Sequence, residues 1–543
     1  MDIKALYKRN ISNYINFIVV IRIIIAAILL MLSDRLNVEQ FIADILMSAA
    51  LIVAGYDFVI SAIDEIKGKN YFSYKCILPF VCIVGFCIGC SREAVLLAIL
   101  YQLGYAMLNY VIKRTKATLT DYVPEENKKD IAMLRTIVTR PNAGVSSLQR
   151  EIEPYLDVFT IAVLVVAVIY AVLMPIIANI TFAASVRRAL MLMLTAIPLS
   201  VVSSLPICSL TGIASSAAYG VFIKNTDVLY TASDIKTVVF DKSDVLCEGL
   251  PKLKSITSPV FDDKTFIRLS AYIAYYSDQR IAAPIVSAYK GCVNPEIIQN
   301  FTDIPGCGME VTIRGIRIFL GTEALLQARG VEIPAGKASD GPVLYMVIAD
   351  RCAGRLDFEE NISPYAEAVV EDFKNIGNVS SVLLTEDSRA ESEKLADQIG
   401  AVSVFYECDS EKKIGVVEQI ATDLNANERL MYVSAENLDF HTSADIDAKV
   451  GYASDNADML TSNIGVFGLP AMFMFSRRTK QVSYENIIFA IVVKVIMLIL
   501  AFTGGATMWF IAFMELIAAC ACCLNAARIP DESLIDKIRK KFN

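Results

Sequence analysis

The chain has 543 residues, of which 55% are hydrophobic and 20% charged, with a net charge of −8 at neutral pH. So much apolar material excludes a wholly soluble protein, and so many charges exclude one confined to a bilayer; a membrane bundle joined to a soluble part satisfies both. The negative balance argues against nucleic acid as a partner, and a single histidine, His441, excludes a histidine-rich metal site.

Taken in chain order, the apolar runs predict eight helical spans. Residues 14–32 and 41–63 are each long enough to cross a bilayer, and no signal cleavage site follows the first. Runs 76–89 and 94–112 are split by Cys90-Ser-Arg-Glu93, runs 157–180 and 189–213 follow, and runs 487–502 and 506–525 flank Thr503-Gly-Gly505. Two Cys-x-x-Cys spacings, Cys87 with Cys90 and Cys520 with Cys523, lie in these runs. Buried, reduced thiols fit that setting better than a metal site or a disulfide framework. Lys4, Lys8, Arg9, Lys67, Lys69 and Lys75 mark one side as cytoplasmic, together with Lys537, Arg539, Lys540 and Lys541 of the tail. Both termini fall on that side, while Arg187 and Arg188 fall on the other. Arg22 and Asp57, inside the first two spans, read as packing, pairing or snorkelling residues.

Residues 113–155, between the fourth and fifth runs, are polar and fewer than the roughly 50 residues of a small domain. Residues 214–486 hold enough chain for two domains, and short β-branched runs alternate there with amphipathic stretches, the pattern of an α/β fold. Strands are expected at 237–240, 380–384, 429–433 and 449–453. Residues 250–354, with strands at 310–320 and 343–349, read as a second domain inserted into the first. The division is then membrane 1–112, a linker 113–155, membrane 156–213, an α/β domain from 214–249 and 355–480, the inserted domain 250–354, membrane 481–528 and a basic tail 529–543.

One stretch organises the soluble part: Thr237-Val-Val-Phe-Asp-Lys-Ser-Asp-Val-Leu246. A buried strand ending in a carboxylate puts it at the C-terminal edge of a sheet, where open α/β folds bind ligands. Such an aspartate either takes up a phosphoryl group as a nucleophile or is an ordinary strand-to-turn residue. Asp241-Lys242-Ser243-Asp244-Val245 resembles the phosphorylation motif of P-type ATPases, Asp-Lys-Thr-Gly-Thr, within the wider haloacid-dehalogenase-like superfamily. The first two positions match, Ser243 keeps the hydroxyl, and the last two differ. From residue 73 to 528 the order of motifs resembles the heavy-metal P-type ATPases. Ser476-Arg-Arg-Thr479, Asn486, Lys494, Trp509, Asn525 and Arg528 follow the order of their zinc/cadmium branch.

That resemblance implies a multi-pass protein of a cell membrane: an eight-span α-helical bundle in the lipid bilayer, a cytosolic haloacid-dehalogenase-like α/β domain, and an inserted nucleotide-binding-like α+β domain. It also implies roles. Thr385, in Thr385-Glu-Asp387, would hold a phosphate oxygen; Lys413 would offset phosphate charge, or is a solvated lysine at a helix start. Val433-Ser-Ala-Glu-Asn-Leu-Asp439 stands where the family has Val-Gly-Asp-Gly-x-Asn-Asp, so its magnesium-ligating aspartate is Ala435 here and only Asp439 survives. Ser277-Asp-Gln-Arg-Ile-Ala282 takes the place of Ser-Glu-His-Pro-Leu-Ala, with Gln279 where a histidine contacts adenine. Gly306 and Gly308 match a Gly-x-Gly that lets a nucleotide approach the backbone, and an ordinary turn explains them equally well.

In the sixth span, Leu205-Pro-Ile-Cys208 occupies the place of the Cys-Pro-Cys metal motif, with a proline expected to break the helix. Both cysteines are replaced, and Cys208 lies about 100° round a helix from Ile207; a kinked packing helix with a buried thiol is the alternative to a metal ligand. Lys494 and Glu515, ionisable groups at membrane depth, stand where the branch has lysine and aspartate, as a metal and counter-ion site or as a structural pair. No Thr-Gly-Glu occurs in the chain, and the actuator domain that carries it in the family is missing between the fourth and fifth runs.

ATP, magnesium and a transported metal such as zinc are thus the ligands the resemblance implies, set against the losses just named. Three functions fit: a degenerate relative of zinc-type pumps acting by binding, as a sensor or partner subunit; a working zinc/cadmium pump whose actuator is a separate polypeptide; and an uncoupled phosphatase or autophosphorylating enzyme at Asp241. The first accounts for the most losses.

Overall fold

The structure is a computed structural model describing residues 18–33, 40–68, 74–121, 147–242, 245–247, 250–277, 279, 281–304, 307–333, 341–359, 362–386, 389–408, 410–435, 442–450, 457–461 and 465–530. It divides into a membrane unit (1–218, 222–233 and 471–543) and an α/β unit (219–221 and 234–470). Ser243, Gly306, Asp439 and most of the linker 113–155 and the basic tail lie outside the described residues.

Among the described residues, each of the eight apolar runs is largely helical. Helix α1 (Ile18–Ser33) is followed by α2 (Gln40–Lys67), α3 (Tyr74–Cys87), α4 (Ser91–Asp121) and α5 (Ser147–Ile177). Then come α6 (Phe182–Thr195) and α7 (Leu199–Ala217), one long apolar segment interrupted at Pro198. Among the described residues six segments are long and apolar enough to cross a membrane, and α1 and α3 are shorter, so length and hydropathy bear out six of the eight expected spans.

The chain continues through β1 (Val221–Ile223), α8 (Thr226–Ala232), β2 (Ile235–Asp241), β3 (Lys252–Thr257), α9 (Asp263–Ala274), α10 (Ala282–Ala288) and β4 (Ile298–Ile304). Next are β5 (Gly308–Ile313), β6 (Ile316–Gly321), α11 (Glu323–Ala328), β7 (Val343–Ile348), β8 (Arg351–Glu359), α12 (Ala366–Gly377) and β9 (Ser380–Leu384). After α13 (Arg389–Ile399), β10 (Ser403–Phe405), α14 (Ser410–Asp423), β11 (Arg429–Ser434), β12 (Ile446–Val450) and β13 (Met459–Thr461), the chain ends its described part in α15 (Leu469–Thr503) and α16 (Met508–Ala526).

In the membrane unit the outward stripes are apolar: Ile488, Ile491, Val495 and Ile499 of α15 are exposed at helical spacing, while Ala490, Lys494, Met497 and Ala501 are buried. An exposed apolar face is what a lipid environment requires. The two arginines expected on the side opposite the other cations have local partners: Arg187 pairs with Glu93, and Arg188 donates to the Tyr170 hydroxyl at 3.2 Å. Arg22 is paired as well, donating to Asp57 at 2.8 Å, whose other oxygen accepts from Gln102 at 2.7 Å.

Two sheets build the α/β unit. The first has the order β1-β13-β12-β11-β2-β9-β10, and β2 lies between parallel neighbours β11 and β9. Both of its faces are covered, so Val238, Val239 and Phe240 are buried, as a central parallel strand demands. The second sheet is antiparallel, in the order β3-β8-β7-β6-β5-β4. Its strands corrected one expectation: residues 310–320 form not one strand but the hairpin β5–β6. Arg314 (φ 52°) and Gly315 (φ 78°) make the tight reversal, the two positive φ values of a type I′ turn. A single bridge between Cys247 and Ile362 marks where the chain leaves the first sheet and returns.

Candidate functional site

Three strands, β2, β9 and β11, deliver their last residues to one edge of the parallel sheet. Asp241 ends β2 beside Leu384, the last residue of β9, and Thr385 follows it directly. The backbone N–H of Lys242 donates to the Leu384 carbonyl at 2.9 Å, and Thr385 is fixed by its N–H to Phe405 and by accepting from the N–H of Cys408, both at 3.0 Å. Asp241 is 0% exposed, and its Oδ2 accepts from Lys413 Nζ at 3.0 Å. The same ammonium donates to Glu386 Oε1 at 3.0 Å. Lys413 is aimed by its helix: Val417 and Ile420 of α14, one and two turns on, pack with Val239, Leu430 and Tyr432 of the sheet, so position 413 on that face overlooks the end of β2. Asp241, Lys413 and Thr385 are thus brought together, and Lys413 is buried, not a solvated lysine.

Beyond Asp241, β11 ends in Ser434 and then Ala435. The Ser434 hydroxyl accepts from Lys449 Nζ, on the neighbouring strand β12, at 2.5 Å. As a place for a divalent cation the described part of this edge does not fit. Both carboxylates are bridged by one ammonium, Ala435 brings no side-chain oxygen, and the Ser434 hydroxyl accepts from a second ammonium. Magnesium needs an octahedron of hard oxygen ligands. Lys449 went unnoticed in the sequence because its partner lies fifteen residues away and only strand register brings them together.

The inserted domain uses its candidate residues internally. Gln279 donates from its amide to the Asp303 carboxylate and to the carbonyls of Ile304 and Gly308, at 3.1 and 3.0 Å. Those donors are spent closing a loop. Gly308 (φ 146°) is required by packing: a Cβ there would lie 2.1 Å from the Leu320 carbonyl oxygen on β6. The described residues therefore fit a structural turn better than a nucleotide contact.

In the membrane unit the helix break falls at Pro198, and α7 runs through Pro206 without interruption. The expectation of a break at Leu205-Pro-Ile-Cys208 is corrected accordingly. Pro198 interrupts the ladder between α6 and α7 and frees carbonyls in an apolar setting. Lys494 Nζ supplies the missing donors, reaching the carbonyls of Thr195 at 3.1 Å and Ile197 at 2.6 Å as well as Glu515 Oε1 at 3.2 Å. Glu515 Oε1 also caps the start of α7, accepting from the backbone N–H and the hydroxyl of Ser200, each at 3.0 Å. Its Oε2 is buried with no hydrogen-bond partner among the described residues. Cys208 belongs to another cluster: Asn486 donates to its sulfur at 3.5 Å and to the Cys522 carbonyl at 3.0 Å. Among the described residues no three His, Cys, Asp or Glu side chains converge to hold a metal ion.

Comparison with known proteins gives a consistent picture. No family model matches the chain. It is 25% identical over 409 residues to the cadmium, zinc and cobalt-transporting ATPase of Bacillus subtilis (strain 168), across 74% of this chain and 58% of that protein. To the zinc-transporting ATPase of Synechocystis sp. (strain ATCC 27184 / PCC 6803 / Kazusa) it is 26% identical over 412 residues, across 74% of this chain and 57% of that protein. The chain thus matches rather more than half the length of these curated relatives. In fold it resembles the crystal structure of a zinc-transporting PIB-type ATPase in the E2.Pi state, with a TM-score of 0.62 and 17% identity over 95% of this chain and 99% of that one. A second crystal structure of a zinc-transporting PIB-type ATPase, in another state, superposes with a TM-score of 0.53 and 17% identity over 93% of this chain and 99% of that one.

Proposed function

This chain belongs to the heavy-metal P-type ATPase family, and from that premise we propose that it is a degenerate member. It acts by binding, as a sensor or partner subunit in the membrane, without completing an ATP-driven metal transport cycle. Ala435 carries the proposal. It follows β11 at the edge shared with Asp241, where a metal-binding carboxylate would have to stand, and it brings no ligand atom. Three further features support the reading. Pro198 is flanked by Ile197 and Leu199, neither of which can ligate a cargo metal. The nucleotide-side donor, Gln279, is tied to Asp303 and two carbonyls. Between the end of α4 at Asp121 and the start of α5 at Ser147 the chain is too short for a domain of roughly 50 residues.

A second reading, a zinc- or cadmium-transporting pump completed by a separate actuator, is favoured by one observation. Glu515 Oε2 is a buried carboxylate oxygen that the described residues leave available to a cation. An uncoupled phosphatase at Asp241 would need a divalent cation, for which the described part of that edge brings no ligand set. Loss of either a transition-state cation or a water-directing group typically lowers a rate by roughly 10² or more, so both losses together suppress steady turnover.

The deciding experiment is ATP hydrolysis by the purified full chain in lipid, with and without zinc, beside Asp241→Asn. The expected result is no zinc-stimulated turnover. Zinc-stimulated hydrolysis abolished in Asp241→Asn would establish a working pump instead.

A further inference from the structure

Lys449 takes no part in the reading above, yet its place is specific. It is 6% exposed, donates to Ser434 Oγ at 2.5 Å, and its ammonium lies 5.6 Å from the centre of the Tyr432 ring. Register fixes where that ammonium stands relative to Asp241. Lys449 pairs with Ser434, and Val433 pairs with Phe240, so the next rung sets Ser434 beside Asp241. Residues on one rung of a parallel ladder point to the same face. That face is the one carrying Val239 and Tyr432, against which α14 packs. Lys413 and Lys449 therefore approach the carboxylate side of the sheet edge together, one from the covering helix and one from two strands away. On that shared rung Ser434 stands about one strand spacing, ~4.8 Å, from Asp241, and Lys449 one strand further.

Charge makes the arrangement coherent. A carboxylate plus a divalent cation contributes a net of one positive charge; an alanine plus an ammonium contributes the same. Ala435 and Lys449 thus preserve the balance of the edge while removing the need for a metal. An ammonium donates charge-assisted hydrogen bonds to phosphate-type oxygens, and Lys413 offers a second at the same edge. We propose that Lys449 is the resident cation of this site and that the Asp241 edge binds a phosphate-type oxyanion without magnesium. The inference rests on the family reading only in taking this edge as the anion site.

The test uses the purified full chain in lipid and orthovanadate as the probe, with binding measured in EDTA and in magnesium. The proposal expects the two affinities to agree and expects Lys449→Met to weaken binding about tenfold, with Lys449→Arg retaining most of it. Should Lys449→Met not fold, Lys449→Gln keeps a donor for Ser434 without the charge and is expected to show the same loss. Absence of vanadate binding, binding abolished by EDTA, or undiminished binding in the uncharged variants would each overturn it. Zinc-stimulated ATP hydrolysis, by contrast, overturns the proposed function and leaves magnesium-free anion binding standing.

Discussion

Lys413 joins two carboxylates, so the two sides of its ion pairs are unequal. Removing the lysine takes its ammonium from the fully buried Asp241 carboxylate, whereas removing the aspartate leaves the ammonium with Glu386, which is partly exposed. Lys413→Met should cost about 3–5 kcal/mol and Asp241→Asn about 1–3 kcal/mol. Thermal unfolding of the full chain in detergent checks this, and equal shifts would contradict the shared-ammonium geometry. Lys494 and Glu515 predict a cycle of their own. Glu515→Ala should lower stability by about 3–5 kcal/mol, and adding Lys494→Ala should recover part of it. Recovery stays partial because the carbonyls of Thr195 and Ile197 then lose their donor. Simple additivity would show that the two side chains do not act as a pair. These residues were legible in the sequence because a charge in an apolar run has few innocent explanations. Pro198 was not: two prolines sit eight residues apart in the same run, and only the packed structure decides which one interrupts the ladder.

Elements were read more reliably than their ends. The strand expected at 380–384 is β9, and that at 237–240 is the core of β2, because continuous β-branched and aromatic runs mark buried parallel strands. The merged strand at 310–320 failed for a physical reason: Arg-Gly is a weaker turn signal than Asn-Gly, yet this backbone accepts positive φ at both positions. The same hairpin gives a pH dependence. Glu310 on β5 accepts from Arg317 on β6 and from Arg329 after α11, at 2.7 Å from the latter. Burial pushes its carboxyl up, but the two guanidinium groups outweigh it and hold it below the usual carboxylate range. A folded value below the unfolded one means stabilisation that is complete above the unfolded value of about 4.3 and is lost as pH falls through the folded one. Glu310→Gln should therefore flatten the acid limb of a stability–pH profile; an unchanged limb would remove Glu310 from that account.

At the scale of the whole molecule, the distribution of Lys and Arg leads us to propose that both termini and the α/β unit face the cytoplasm. Reporters fused after Asn225 and at Asn543 should both read inside, since α15 and α16 provide two crossings between them. Readings on opposite sides would mean an odd number of crossings, and two outside readings would invert the orientation. The layout also has a consequence in time. Strand β2 is finished at Asp241, but its neighbours β9 and β11 begin at Ser380 and Arg429, after the whole inserted sheet. That inserted sheet closes largely on pairings between consecutive strands and can be complete while β2 still waits. At a synthesis rate of about 5–20 residues per second the wait is on the order of ten seconds. Throughout it, the apolar run Val238-Val-Phe240 has no native strand to pair with, and unpaired apolar edges recruit other chains. Substitutions in the inserted domain that leave its own stability intact, yet prolong its synthesis, should therefore lower the yield of the parallel sheet.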